Sequence, residues 1–276
     1  MTEPPARLSA QGDAATTEIW LIELEPLSRL LADAEWRASS DLTLIEAAVT
    51  QATPPQAAGS PGRRWAARIA LRVLLARWAG IETASAPFVI SPGGKPALAS
   101  GPPPFFSLSH SEGRALVALS PRAEIGIDIE APRSPRLAPN RRQQIIAAGI
   151  AMAGGQPLPG DTLDRQMLQA WVRLEAIAKC DGCGMCRLLG RIGIFGGGGA
   201  PSAPAIDRGP DVLDIALDQG FVAAMAGPVS QWDGHVRVFP ASLAGIERLA
   251  GQHPAGRHLA SQHLASQHLG ADERMG

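Results

Sequence analysis

The chain has 276 residues, of which 45% are apolar and 18% charged, with a formal charge of −1. That supplies a sizeable core and excludes global disorder, and the even balance of acids and bases argues against a nucleic-acid footprint. The most apolar stretch, 66–80, is cut by Arg68, Arg72 and Arg77, and the start carries no apolar leader, so no membrane span and a cytoplasmic protein are expected.

In chain order, Thr17 to Glu25 predicts a first strand and Leu27 to Glu35 a helix, after an N-terminal segment 1–16 expected to be disordered. Pro54 to Gly62 reads as a linker, with Ser60 and Pro61 as the N-cap and first residue of a helix that Gly80 ends. In that helix Trp65, Ile69, Val73 and Leu74 recur at core spacing, while Arg64, Arg68 and Arg72 form a separate row. A Pro/Gly loop then holds Gly93-Gly94-Lys95-Pro96. Ala115 to Leu119 and Glu124 to Glu130 flank Ser120-Pro121-Arg122 and predict an antiparallel hairpin. One helix is expected from Arg141 to Met152. A clearer one runs from Leu163 to Cys180, capped by Asp161 or Thr162 and stopped by Gly182. Short strands near Val212 to Leu217 and Phe221 to Met225 predict a second hairpin.

The tail repeats five residues around His258, His263 and His268. At about 100° per residue such a spacing puts successive imidazoles on different faces of a helix, so the tail is expected to be disordered rather than metal-binding. Cys180, Cys183 and Cys186 make a C-x2-C-x2-C run that could ligate zinc or an iron–sulfur cluster, but the chain has no fourth cysteine.

Basic residues number 25, and only two of them, Lys95 and Lys179, are lysines. A compact ammonium can enter a phosphate site or yield a proton, which guanidinium does poorly. In Glu124 to Glu130 the isoleucines 125, 127 and 129 alternate with Gly126, Asp128 and Glu130, so two carboxylates share a face about 7 Å apart. Either that face is solvated, or a cation such as Mg²⁺ sits between the acids. Trp171, Glu175 and Lys179 lie at i, i+4 and i+8, placing a third acid beside a lysine. Lys95 lies upstream of Ser107-Leu108-Ser109-His110-Ser111, a run rich in groups that suit phosphate oxygens.

Taken in order, Gly94-Lys95-Pro96, Phe106 to Ser111, Gly126 to Glu130 and Trp171-x-x-x-Glu175-Ala176-x-x-Lys179 resemble the 4′-phosphopantetheinyl transferases, most closely the larger, pseudo-dimeric, surfactin-synthetase-activating type. The resemblance implies an α+β fold of two similar halves related by a pseudo-twofold, residues 17–127 and 128–245, followed by the tail 246–276. Each half would be a small antiparallel sheet on a long helix, with coenzyme A in the cleft between them. It implies transfer of 4′-phosphopantetheine from coenzyme A to a serine of an apo acyl or peptidyl carrier protein, with 3′,5′-ADP released, by a monomer that needs no nucleic acid or membrane. Asp128, Glu130 and Glu175 would hold Mg²⁺, with Mn²⁺ as a substitute. Glu175 and Lys179 would be catalytic, and Arg63 or Arg64, Lys95, Pro96, Ser109, His110 and Lys179 would contact the coenzyme, His110 at its 3′-phosphate. Trp171 is expected to pack.

The chain departs from the family at Leu174, where lysine is common and Arg173 is the nearest substitute, at Ser107, where asparagine is common, and at Cys183, where a basic residue is usual. These departures leave two alternatives, a non-catalytic homologue that binds coenzyme A or carrier protein, and a metal module built on the three cysteines.

Overall fold

The computed structural model describes residues 16–32, 62–194 and 209–250 of the chain. In chain order its elements are β1 (Thr17–Glu23), α1 (Leu24–Ala32), α2 (Arg63–Ala79), β2 (Phe88–Ile90), β3 (Pro96–Leu98), β4 (Phe105–Ser111), β5 (Arg114–Ser120) and β6 (Gly126–Glu130). They continue with α3 (Pro139–Met152), α4 (Leu163–Cys180), α5 (Met185–Arg191), β7 (Val212–Ile215), β8 (Val222–Ala226), β9 (Trp232–Val238) and α6 (Leu243–Ala250). The fold is α+β, with small sheets and several helices. The terminal segments expected to be disordered, 1–15 and the histidine repeat, lie outside the described residues.

Strands β4-β5-β1-β9 form one sheet and β6-β8-β7 another, with β2-β3 as a separate hairpin. Ile69, Val73 and Leu74 of α2 pack on Ile22, Val117 and Leu119 of the first sheet. Helices α3 and α4 cover the second sheet, where Ile145, Leu168 and Leu174 meet Val222 and Ala224. The remaining faces pack on each other, Ile19, Leu116 and Ala118 against Ile127, Ile129 and Met225. The result is helix on sheet on sheet on helix, so the alternating residues of β5 are buried on both sides.

That layering explains where the strands depart from expectation. The hairpin predicted between Ala115 to Leu119 and Glu124 to Glu130 does not form, because both edges of β5 are occupied, by β4 and by β1. The chain at Ser120 to Arg122 crosses to the second sheet, where β6 pairs antiparallel with β8. The second predicted hairpin, β7 with β8, is present. Strand β9, unmarked in sequence, returns to the first sheet and pairs parallel with β1, and Ile246 and Leu249 of α6 join the core beneath α2.

Helix ends follow local chemistry. Helix α1 starts three residues early because Pro26 is tolerated in a first turn. Gly62 takes the N-cap of α2 with no side-chain cap, and the Ser60-Pro61 start falls outside the described residues. Helix α3 starts at Pro139, two residues before expectation. Helix α4 has the predicted bounds, and the Thr162 hydroxyl accepts from the Arg165 N–H.

Arg173 and Gly126 lock α4 in place. The Arg173 guanidinium, 1% exposed, donates to Asp214 Oδ2 at 2.6 Å and Oδ1 at 2.8 Å and to the Gln156 and Pro157 carbonyls. It therefore joins α4 to β7 and to the loop after α3. At Gly126 a Cβ would stand 1.9 Å from the Ala176 carbonyl oxygen, so the backbones of β6 and α4 touch.

Candidate active site

A cavity of about 610 Å³ opens between α2, the β2–β3 hairpin, β4 and the C-terminal half of α4. Helix α2 contributes Arg64, Arg68 and Arg72, β4 contributes His110, and α4 contributes Glu175 and Lys179. The last two lie one turn apart on the face of α4 that the core leaves open, while Leu174 and Ile177 point into the second core. Trp171 packs beside that core, as expected.

Asp128 stands behind Lys179. It is 3% exposed, so the face of β6 that alternation could assign to solvent is instead covered. Its Oδ1 accepts from Ser109 Oγ at 2.6 Å and from Lys179 Nζ at 2.7 Å. Its Oδ2 is buried with no partner. Burial lifts the Asp128 carboxyl to about 7; Lys179 pulls it down and nearby Glu175 pushes it further up. Lys179 also donates to the Ile127 carbonyl at 3.2 Å and stands 3.5 Å from Glu175 Oε1, bridging the two acids.

Glu130 is held apart, accepting from Ser111 Oγ at 3.0 Å and from Arg133 Nη2 at 2.8 Å. Among the described residues no three acid, histidine or cysteine side chains gather closely enough to form a metal cluster. The donor set nevertheless suits a hard divalent cation: Asp128 offers a buried carboxylate oxygen that no protein donor satisfies, with Glu175 at the other side of Lys179.

The cationic wall is sorted by the structure. Arg64 lines the cavity, whereas Arg63 turns to Glu25 and Glu112 at 3.8 Å each. His110 faces Arg64, Lys179 and Arg68. Partial desolvation and then Arg64 hold its imidazole below the ordinary histidine range. Arg72 is committed to packing: it donates to the Ala84 and Ala86 carbonyls and lies over the Phe88 ring. Lys95 and Pro96 line the cavity, but the Lys95 ammonium is paired with Glu124 and donates to the Ile125 carbonyl at 2.9 Å.

Two hydroxyls of the serine run are spent on the acids of β6: Ser109 donates to Asp128 and Ser111 to Glu130 while accepting from the Ala131 N–H. Ser107, on the cavity wall, accepts from the Ile127 N–H and keeps its own proton to donate. Leu174 is fully buried, so that position does not look into the cavity, and Arg173 cannot replace a missing contact because Asp214 holds it elsewhere.

The cysteine run does not gather. Cys180 is buried, Cys183 partly covered and Cys186 exposed. Cys180 Sγ donates to the Glu124 carbonyl, and burial pushes its thiol up to about 11. Arg68, Phe88 and Glu124 were not singled out as site residues. The four-residue spacing of Arg64, Arg68 and Arg72 was the signal for the first; the others are placed by tertiary packing alone.

Searched against family models, the chain matches none. It is 30% identical over 136 residues to a Synechocystis protein provisionally named 4′-phosphopantetheinyl transferase, covering 45% of this chain and 51% of the relative. It is 34% identical over 124 residues to the 4′-phosphopantetheinyl transferase AcpT of Salmonella typhi, covering 43% and 59% respectively. The AcpT of Salmonella typhimurium matches to the same extent. The chain thus spans between about half and three-fifths of the curated relatives it matches.

Proposed function

We propose that this chain, similar to 4′-phosphopantetheinyl transferases over less than half of its length, acts as one of them and transfers the 4′-phosphopantetheine arm of coenzyme A to a serine of an apo acyl or peptidyl carrier protein. The observation that carries this reading is one cavity in which the Arg64 and Arg68 guanidinium groups and the His110 imidazole face Glu175 and Lys179, with Asp128 behind them. A bisubstituted pyrophosphate with a distant 3′-phosphate has two anionic centres, and the cavity offers cations from two elements, Arg64 and Arg68 on α2 and Lys179 on α4.

In this reading the 3′-phosphate lies against Arg64, Arg68 and His110, and the pyrophosphate against Lys179. Asp128 and Glu175, with Glu130, would hold Mg²⁺ or Mn²⁺, which when bound neutralises charge on the pyrophosphate oxygens. The carrier serine hydroxyl attacks the β-phosphorus, and Glu175 takes its proton. The Lys179 ammonium, already fixed by two carboxylates and a carbonyl, stabilises the charge that grows on the leaving phosphate of 3′,5′-ADP.

Intact-mass spectrometry of an apo carrier protein incubated with this protein, coenzyme A and Mg²⁺ tests the proposal. The expected result is the gain of one phosphopantetheine, abolished by EDTA. No gain on any of several carriers, with coenzyme A still bound, would replace transfer by a binding role.

The wall of cations also sets a pH dependence. His110 is neutral near pH 7 because its pKa is lowered, and a bound phosphate dianion raises it, so binding takes up a proton. Affinity for coenzyme A should therefore strengthen as the pH falls below about 6.5, whereas 3′-dephospho-coenzyme A and the His110→Gln variant should show a flatter profile. Equal slopes for both ligands in isothermal titration would remove His110 from the 3′-phosphate.

A further inference from the structure

The serine hydroxyls of β4 are arranged for more than strand packing. Pairing of Ser107 with Ala118 and of Ser109 with Leu116 puts these serines on the face of the first sheet that meets β6. β6 has β8 on one edge. On its other side the Ser107 and Ser111 hydroxyls accept from the Ile127 and Ala131 N–H groups, at 3.1 and 3.0 Å, where a neighbouring strand would offer carbonyls. Two of the three serines also reach carboxylates. Ser109 donates to Asp128 Oδ1 at 2.6 Å and Ser111 to Glu130 Oε2 at 3.0 Å. Ser107 touches no acid.

A carboxylate turns freely about its last torsion unless a donor fixes it. Asp128 Oδ1 already has two donors, the Ser109 hydroxyl and the Lys179 ammonium, so Oδ2 is the oxygen left over, buried and without a partner. Glu130 takes the Ser111 hydroxyl at Oε2, at 3.0 Å, and the half-exposed Arg133 reaches both its oxygens, Oε1 at 2.8 Å and Oε2 at the longer 3.4 Å, as a weak surface competitor for a divalent cation.

We infer that Ser109 and Ser111 are positioning residues: by donating to Asp128 and Glu130 from the neighbouring sheet, they fix which carboxylate oxygens of β6 are presented to a divalent cation. This rests on the reading of those acids as cation-holding groups. It gives Ser109 a different task from contact with a phosphate and gives Ser111 a task that sequence reading did not assign.

The test is Mn²⁺ binding followed by electron paramagnetic resonance with coenzyme A present, after subtraction of Mn²⁺ held by coenzyme A alone, alongside thermal melting. Removing an outer hydrogen-bond partner of a metal ligand weakens metal binding by roughly tenfold to a hundredfold. Ser109→Ala and Ser111→Ala should each lose at least about tenfold in Mn²⁺ affinity, and Ser111→Thr, which keeps the hydroxyl, should restore it. Ser107→Ala breaks the same seam without touching an acid, so it should lower the melting temperature and leave Mn²⁺ affinity at the native level. If Ser109→Ala and Ser111→Ala bind Mn²⁺ as the native protein does, or if Ser107→Ala weakens binding equally, the positioning role falls and the acids keep theirs. If the native protein takes up no Mn²⁺, the acids lose that role and the inference falls with it.

Discussion

Asp128→Asn should lose at least about a hundredfold in phosphopantetheine transfer, since it alters a group closer to the chemistry than the outer partners whose loss already costs that much. The expected change in stability has the opposite sign. Burial outweighs the attraction of Lys179 and lifts the Asp128 carboxyl to about 7, so the ionised form is less welcome in the fold than in the unfolded chain. A group with a raised pKa contributes stability that is fully present below its unfolded value near 4 and is lost as the pH rises through its folded value. Asparagine has nearly the same volume and no charge to bury.

The melting temperature of Asp128→Asn relative to the native protein should therefore climb from about pH 4 to about pH 7 and level off above that, measured with EDTA present. A difference that stays flat across that range would mean that the Lys179 ion pair fully compensates burial. Either way the comparison separates two roles of one residue, because transfer is lost at every pH while stability moves only where the carboxyl titrates. A site that holds an unsatisfied acid oxygen at the expense of stability is what a cation-binding function would require of this strand.

The parts of this arrangement that depend on local pattern were legible. Helix α4 follows from its Thr162 cap, its apolar period and the glycine beyond it, and so does the common face of Glu175 and Lys179. The β7–β8 hairpin follows from two apolar runs around a turn. What sequence could not supply was the layer above. Alternation in β6 gave a face with Asp128 and Glu130 but not its direction, and α4 covers that face. Arg173 looked like a spare cation until Asp214, far along the chain, was placed beside it. Strand β9 is a sheet edge with Asp233, Gly234 and His235 in its middle, so it carries neither a continuous apolar run nor clean alternation, and only β1 makes it a strand. In the serine run, alternation with Leu108 and His110 was visible, but its partner strand was not.

Gly126 is the position where these layers are most exposed to a single change. Its backbone is not in a glycine-only conformation, so a side chain is excluded by space alone. A Cβ there would lie 1.9 Å from the Ala176 carbonyl oxygen and 2.5 Å from the Cys180 backbone nitrogen, both on α4 and neither able to swing aside as a side-chain tip would. Gly126→Ala must therefore separate β6 from α4, at an overpacking cost of about 3 kcal/mol, which for a chain of this size lowers Tm by roughly 10 °C. The displaced contact lies two residues from Asp128 and one from Glu175, so the gap opens between the acids that Lys179 bridges. Transfer should fall by more than tenfold even at temperatures where the variant is fully folded by circular dichroism, because a small misplacement of reacting groups is enough for such a loss. A variant that melts at the native temperature would show that β6 and α4 are less closely packed than described, and one that is destabilised yet fully active would detach their spacing from the chemistry.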